Sequence, residues 1–341
     1  MAKIKLSICI ATYGRGQFIG ETLSSIISQI EPEVELVIVD GASPDNTHEI
    51  VAEHQKYYPA LRYYRESENS GVDRDFDKAV VYANGEYCWL MTDDDLMMPG
   101  AIRQILSSIN DGHDLIVANS EVRTVDFSKV LKPRLLDISS DKEFGAETAD
   151  KFFNEVANCL SFIGSVIIRR QVWLDRDRSS YFGTLFVHVG VIFQHPPIVN
   201  VKCIANPLVV IRYGNAMWTS RGFEIWMFKW PNLIWSFNDF SSRTKALVCP
   251  PPWANIKRIV LFRAVGGYSM TEYRRFLSST ESEVSRILLV LIAVFPAVLM
   301  NFLAGIYCAL FNHSDRLAIY DLSHSKHASW PTRLAARILG V

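Results

Sequence analysis

Between Lys5 and Ala118, short apolar runs alternate with segments of helical spacing, and this alternation leaves few folds open to the chain. Lys5–Ala11 (KLSICIA), Glu35–Asp40 (ELVIVD), Leu61–Arg65, Tyr87–Met91 (YCWLM) and Asp114–Ala118 read as strands. Phe18–Ile30, Thr47–Tyr58, Val72–Ala83 and Pro99–Ile109 read as helices. Such units predict an α/β fold, with a Rossmann-like, mostly parallel sheet flanked by helices and joined by right-handed crossovers. Ligands of these sheets bind beyond the carboxyl ends of the strands. The loops after Ala11, Asp40 and Met91 are therefore the places to look.

Each of those loops carries chemistry. After Ala11 comes Thr12-Tyr13-Gly14-Arg15-Gly16, and Gly14, Gly16 and Gly20 give G-x-G-x-x-x-G. With Asp40 ending the next strand, this loosely matches a dinucleotide fingerprint, but Ile19 occupies the position of its third glycine. After Asp40, the stretch Gly41-Ala42-Ser43-Pro44-Asp45-Asn46-Thr47 is a polar turn with helix caps to spare. Capping does not account for Asp40, a carboxylate at the end of an apolar strand. After Met91, Thr92 is followed by Asp93, Asp94 and Asp95. Three adjacent acids raise one another's pKa unless a cation neutralises them. Hard divalent ions such as Mn²⁺ or Mg²⁺ prefer carboxylate oxygens and leave positions open for phosphate.

Taken together these loops resemble GT-A fold glycosyltransferases of family 2. The matching stretches are Ala11-Thr12-Tyr13-Gly14-Arg15, Val39-Asp40-Gly41-Ala42-Ser43-Pro44-Asp45, Asn69-Ser70-Gly71-Val72-Asp73-Arg74-Asp75 with Ala83-Asn84-Gly85-Glu86-Tyr87, and the acids. The likeness covers about residues 1–120 and displaces the dinucleotide reading. A narrower likeness, to the abequosyltransferase type of O-antigen enzyme, rests on Gly71-Val72-Asp73-Arg74, Asn84-Gly85-Glu86-Tyr87-Cys88-Trp89, Gly183-Thr184, His188-Val189 and Asn206-Pro207-Leu208-Val209. It implies a deoxy- or dideoxyhexose donor.

The resemblance implies roles. Thr12, Tyr13, Arg15 and Ser43 line the nucleotide, Asp40 bonds the donor's base, and Asp73 sits near the ribose or sugar. Asp94 and Asp95 hold the metal, with Asp95 the direct ligand and catalytic carboxylate and Asp93 behind them. Thr92 departs from the family's usual first aspartate. The metal offsets charge on the diphosphate leaving group, and an inverting enzyme needs a base at the acceptor hydroxyl. The family's usual Glu-Asp pair is missing from Tyr181–Val189, which leaves His188 as the candidate base and Asp175 and Asp177 as lesser ones. In the second half, Ser161–Arg169 and Pro207–Arg212 read as strands around a polar excursion from Glu121 to Asp150. Arg212, followed by Trp218, is a candidate phosphate grip. Trp226, Trp230 and Trp235 form a helical stripe that reads as core or as an interfacial belt.

The mean hydropathy of +0.10 has a local source. Ile287–Phe311 is 25 residues without a charge. As one helix it would reach roughly 37 Å, enough to cross a bilayer core. Pro296 permits either a kinked span or a re-entrant hairpin; basic flanks on both sides do not separate the two membrane faces, and that symmetry favours a re-entrant or monotopic insertion. Residues 331–341 read as a basic amphipathic tail. A net charge of -1 argues against nucleic acid as the partner. Six scattered cysteines read as reduced thiols, and the N-terminus does not read as a signal peptide.

The expected organisation is a GT-A domain over 1–220, with a donor half to 120 and an acceptor half to 220, and a helical region over 221–341. The expected activity is metal-dependent transfer of one sugar from a nucleotide-sugar to a lipid-linked glycan. Its expected place is the cytoplasmic face of the inner membrane. The alternatives are a polyisoprenyl-phosphate sugar transferase and a binding protein with a decayed transferase domain.

Overall fold

A computed structural model describes residues 3–215, 221–250, 255–279, 283–312 and 314–341. Met217, Trp218, Pro251 and Pro252 lie outside them. The chain divides into two compact units. One comprises Met1–Val122, Pro133–Arg212 and Phe237–Thr244; the other comprises Arg123–Lys132, Tyr213–Ser236 and Lys245–Val341. The division thus falls at Arg212, and the hairpin of 123–132 groups with the helical unit.

The first unit opens with β1 (Leu6–Thr12), α1 (Gly16–Ile27), β2 (Val34–Asp40), α2 (Thr47–Tyr57), β3 (Arg62–Arg65), α3 (Val72–Tyr82), β4 (Tyr87–Met91), β5 (Leu96–Met97) and α4 (Ala101–Ile109). There follow β6 (Leu115–Thr124), β7 (Val130–Lys132), β8 (Lys142–Phe144), α5 (Ala149–Val156), β9 (Val166–Arg169), α6 (Arg170–Asp175), α7 (Val187–Phe193) and β10 (Val201–Tyr213). The sheet order is β3-β2-β1-β4-β9-β6-β10-β5, with β7 on β6 and β8 on β10. β1, β2 and β4 are buried along their whole length, which is why they read as unbroken apolar runs. They are parallel, with Thr12 opposite Asp40 and Ile10 opposite Met91. Their carboxyl ends therefore reach one edge together.

Beyond β4 the sheet is mixed rather than mostly parallel. β9 runs antiparallel to both β4 and β6, and β10 antiparallel to β5 and β8. Two 3₁₀ turns, Cys159–Ser161 and Ile163–Ser165, shorten the strand read over 161–169 to its last four residues. The Trp89 indole donates to the Gly164 carbonyl at 2.9 Å and holds that turn out of the ladder. All six cysteines are buried and unbridged.

The second unit is largely helical: α8 (Gly222–Glu224) leading into a π-turn (Ile225–Lys229), α9 (Trp230–Ser236), α10 (Ser242–Val248, begun in the first unit), α11 (Ile256–Val265), α12 (Met270–Glu272), α13 (Glu283–Val294), α14 (Ala297–Phe311), α15 (Arg316–His324) and α16 (Trp330–Ile338). Trp230 is buried, Trp226 lies against Arg258, and the Trp235 indole donates to the Cys249 carbonyl, so that stripe packs inside the unit.

The apolar stretch is not one rod. Arg286–Val294 and Ala297–Phe311 meet at 100° across Pro296, and among the described residues no single helix is long and apolar enough to cross a membrane. Asn301, fully buried in α14, fixes this arrangement. Its amide donates to the Leu322 carbonyl at 3.0 Å, and its carbonyl oxygen accepts from the Ser329 amide and the Thr332 hydroxyl at 2.9 Å each. A Cβ on Gly305 would lie 2.1 Å from Thr332 Oγ1, so α14 and α16 touch where glycine lets them.

Candidate active site

The first two loops at the sheet edge are stitched together. Three consecutive amides of the first donate to side chains of the second: Gly14 to Ser43 Oγ at 2.9 Å, Arg15 to Thr47 Oγ1 at 3.0 Å and Gly16 to Asp45 Oδ2 at 2.9 Å. These are the amides a dinucleotide pyrophosphate would need, so the geometry agrees with setting that reading aside. Asp40 is fully buried and supports the second loop from below. Its Oδ1 accepts the Ser43 amide at 2.7 Å and its Oδ2 the Tyr63 hydroxyl at 2.5 Å. Ser43 is buried as well, whereas Tyr13 stands at the surface. Thr12, at the end of β1, is buried with an unpartnered hydroxyl.

The acid loop joins β4 to β5. Asp95 Oδ1 accepts the Arg212 amide at 2.6 Å, and its Oδ2 accepts the Thr92 hydroxyl. Its own carbonyl accepts from Thr22 Oγ1 at 2.8 Å. Burial first, and then the charge of Asp94, push its pKa well up. Both oxygens of Asp95, read from the sequence as the direct ligand, thus accept hydrogen bonds within the protein and tie the acid loop to β10. Thr92, read as a departure from the family, becomes intelligible as its hydroxyl support. Arg212 is likewise not a phosphate grip. Its Nε donates to the Asp94 carbonyl at 2.8 Å, its Nη2 pairs with Glu21, and its guanidinium lies 5.0 Å from the Phe18 ring.

Asp93 and Asp94 are the acids that share a cation. Arg15 Nε lies 3.4 Å from Asp93 Oδ1, and Arg15 Nη2 bonds Asp94 Oδ2. Desolvation and the neighbouring Asp94 push Asp93 up to about 7 against the pull of Arg15. Among the described residues no cluster of three or more His, Cys, Asp or Glu forms a closed metal cage. Two adjacent carboxylates at the carboxyl edge of the sheet fit a divalent ion that takes its other ligands from a diphosphate and water.

Asp73 and His188 also differ from their expected roles. Asp73, in the first turn of α3, is buried beneath the loop before α7. Its Oδ2 accepts the amides of Gly183 and Leu185 at 2.8 and 2.9 Å, and its Oδ1 that of Val187 at 3.1 Å. Gly183 and Leu185 both have positive φ, at 87° and 73°. A leucine held there is strained, and the carboxylate is what holds it. Asp73 is thus the anchor of this loop, not a sugar contact.

His188 is 1 % exposed, with Nε2 2.7 Å from the Leu160 carbonyl. Burial pushes its pKa down to about 4. An acceptor does not reach it, so it is a core histidine rather than the base. Between pH 6.5 and 4 the unfolded chain takes up a proton that the folded chain refuses, so stability falls as pH falls. The loss amounts to roughly 3 kcal/mol across that window. Urea midpoints at pH 7 and pH 5 are expected to converge in His188→Gln. Asp175 accepts from Gln171, and Asp177 from Ser179 and Ser180, within surface turns.

The sequence model of Glycosyl transferase family 2 matches residues 7–177. The chain belongs to that family. It is a nucleotide-sugar-dependent glycosyltransferase. It is 28 % identical over 233 residues to the abequosyltransferase RfbV of Salmonella typhimurium, covering 64 % of this chain and 69 % of that one. Over 116 residues it is 25 % identical to a GalNAc(5)-diNAcBac-PP-undecaprenol β-1,3-glucosyltransferase of Campylobacter jejuni, covering 34 % and 38 %. Its fold is similar to that of the mannosyltransferase PcManGT from Pyrobaculum calidifontis, solved with GDP-Man and Mn²⁺, at a TM-score of 0.54 and 14 % identity over 95 % and 87 % of the two chains.

One residue of this family 2 site escaped the sequence reading. Asp75, two positions past Asp73, is buried beside the loop after Asp40, and a Cβ on Gly41 would lie 2.7 Å from its Oδ2. Ser70 donates to its Oδ1 at 2.6 Å, and burial raises its pKa. The Asp73-Arg74-Asp75 pattern carried the signal.

Proposed function

We propose that this enzyme moves one sugar, a deoxy- or dideoxyhexose, from a nucleotide donor to a lipid-linked glycan in cell-surface polysaccharide synthesis. It works at the cytoplasmic face of the inner membrane. The observation that carries the reading is the Asp93–Asp94 pair, held beside Arg15 at the carboxyl edge of the sheet. The match to the abequosyltransferase over 64 % of the chain supports the donor class, and the undecaprenol-linked relative supports the acceptor class.

Asp93 and Asp94 are the residues that would hold Mn²⁺ or Mg²⁺. Such an ion, when bound, would offset the charge on the departing diphosphate. The chain's own residues do the rest. The stitched loops of Thr12–Gly16 and Asp40–Thr47 form a rigid floor for the nucleoside, with Asp40 and Asp75 as buried acceptors beneath it. Arg15 presents a guanidinium on the side where phosphate charge accumulates. Asp95, Thr92 and Arg212 fix the acid loop between β4 and β5. The bond from the anomeric carbon to the diphosphate oxygen breaks as the acceptor oxygen bonds that carbon. The acceptor's proton passes to a base, and configuration inverts as the family resemblance implies.

The test is nucleotide release by purified protein from UDP-, GDP-, CDP- and dTDP-sugars with Mn²⁺, Mg²⁺ or EDTA, followed by addition of polyprenyl phosphate or a polyprenyl-diphosphate oligosaccharide. One donor consumed only with metal, and faster with the oligosaccharide lipid, is expected. Preference for bare polyprenyl phosphate would transfer the chain to the polyisoprenyl-phosphate class. Failure both to bind and to turn over any donor would leave a binding protein.

A further inference from the structure

The helical unit leaves separate rows of large apolar side chains uncovered. α14 buries Ala297, Asn301, Gly305 and Cys308 along one side. On the opposite side Leu299, Leu303, Tyr307 and Leu310 are exposed. α13 exposes Ile287, Leu291 and Val294. α16 repeats the arrangement: Thr332, Ala335 and Ala336 are buried, while Trp330, Leu334 and Ile338, one helical turn apart, are 72 %, 47 % and 75 % exposed. Soluble surfaces seldom gather this many large apolar side chains without a partner.

The charge around these rows selects the partner. From residue 286 to 341 the chain carries five Lys and Arg (Arg286, Arg316, Lys326, Arg333, Arg337) against two Asp, Asp315 and Asp321. Both acids are used internally. Asp315 caps α15 through the Ala318 amide at 3.1 Å, and Asp321 accepts the Tyr213 hydroxyl at 3.0 Å. Arg333 and Arg337 are exposed and lie beside the Trp330–Leu334–Ile338 row, four residues apart on the same side of α16. An apolar row edged by arginine and begun by an exposed tryptophan matches the interface of an anionic bilayer.

We infer that the outer row of α16, with Arg333 and Arg337 beside it, docks the enzyme on an anionic lipid surface, without crossing it. α16 is nine residues long and packs its Thr332 side against α14, which sets this apart from a spanning helix. The docking rests on the proposed function only for its purpose, since lipid binding requires neither donor nor acceptor.

The experiment is flotation of the full chain with vesicles of phosphatidylcholine alone, or with phosphatidylglycerol in roughly equal parts. Binding to the mixed vesicles, released by raised salt, is expected. Arg333→Glu with Arg337→Glu should weaken it about tenfold or more, and Trp330→Ser with Ile338→Ser should weaken it comparably. Neither pair should change melting temperature or donor hydrolysis in solution. Equal flotation of native and variant chains would overturn the inference. So would retention indifferent to salt and lipid charge, which signifies insertion, or a dimer that the same substitutions dissociate while vesicle binding persists.

Discussion

Asp94→Asn is expected to lower donor turnover about a thousandfold while leaving the protein folded. Asp94 shares Arg15 with Asp93, and its charge is one of the two causes that push Asp93 up to about 7. Removing that charge takes away half of the anionic site that a divalent ion and a diphosphate would need. It also relieves the repulsion with Asp93 while giving up the ion pair with Arg15. The two effects oppose each other, so the melting temperature should stay within a few degrees of the native value, at about 2–4 °C per kcal/mol for a unit of this size. Asp95→Ala should behave differently. It strands the Arg212 amide and the Thr92 hydroxyl in a buried loop, so turnover and melting temperature fall together. Nucleotide release and thermal melts on the two variants separate a ligand from a positioning residue. If Asp95→Ala melted normally and Asp94→Asn did not, the assignment would be reversed.

Asp73→Ala carries the largest expected cost in stability. Three backbone amides converge on this carboxylate, and a charged acceptor is worth more than a neutral one. Its removal leaves buried donors unsatisfied and frees the strained backbone at Leu185. The sum is about 3–5 kcal/mol, or a fall on the order of 10 °C in melting temperature. Asp73→Asn keeps one acceptor oxygen and should lose about half as much. The loop Gly183–Val187 belongs to the half read as acceptor-facing, so transfer to the lipid acceptor should fall further than hydrolysis of the donor. An equal fall in both rates at a temperature where the variant is folded would assign Asp73 to the donor side instead.

Much of the fold could be read along the chain because the relevant forces are local. β1, β2 and β4 are buried on both faces and so carry continuous apolar runs, and the helices between them carry their own period. The three loops at the sheet edge follow from that alternation, as do the acids after Met91. The antiparallel half was less legible. A short strand such as Val166–Arg169 takes its direction from the partners it finds, and an indole reaching Gly164 from β4 decides where it begins.

The α/β alternation, the edge at which the loops meet, the membership of family 2 and the cluster of acids can all be read along the chain. What surrounds each acid depends on how the chain is folded. Asp93 and Asp94 face a guanidinium that reaches them from another loop; Asp95 faces inward to a backbone amide 117 residues later in the chain. Asp73 is turned to three amides more than a hundred residues away. His188, apt as a base by its chemistry, is disqualified by burial. The apolar stretch of 287–311 is long enough for a span by count, yet it bends because Pro296 cannot supply a helical amide and Asn301 finds its partners inside the protein. Residue type and spacing set which groups a site can contain. The direction a carboxylate points, and whether water reaches it, depend on contacts made far along the chain.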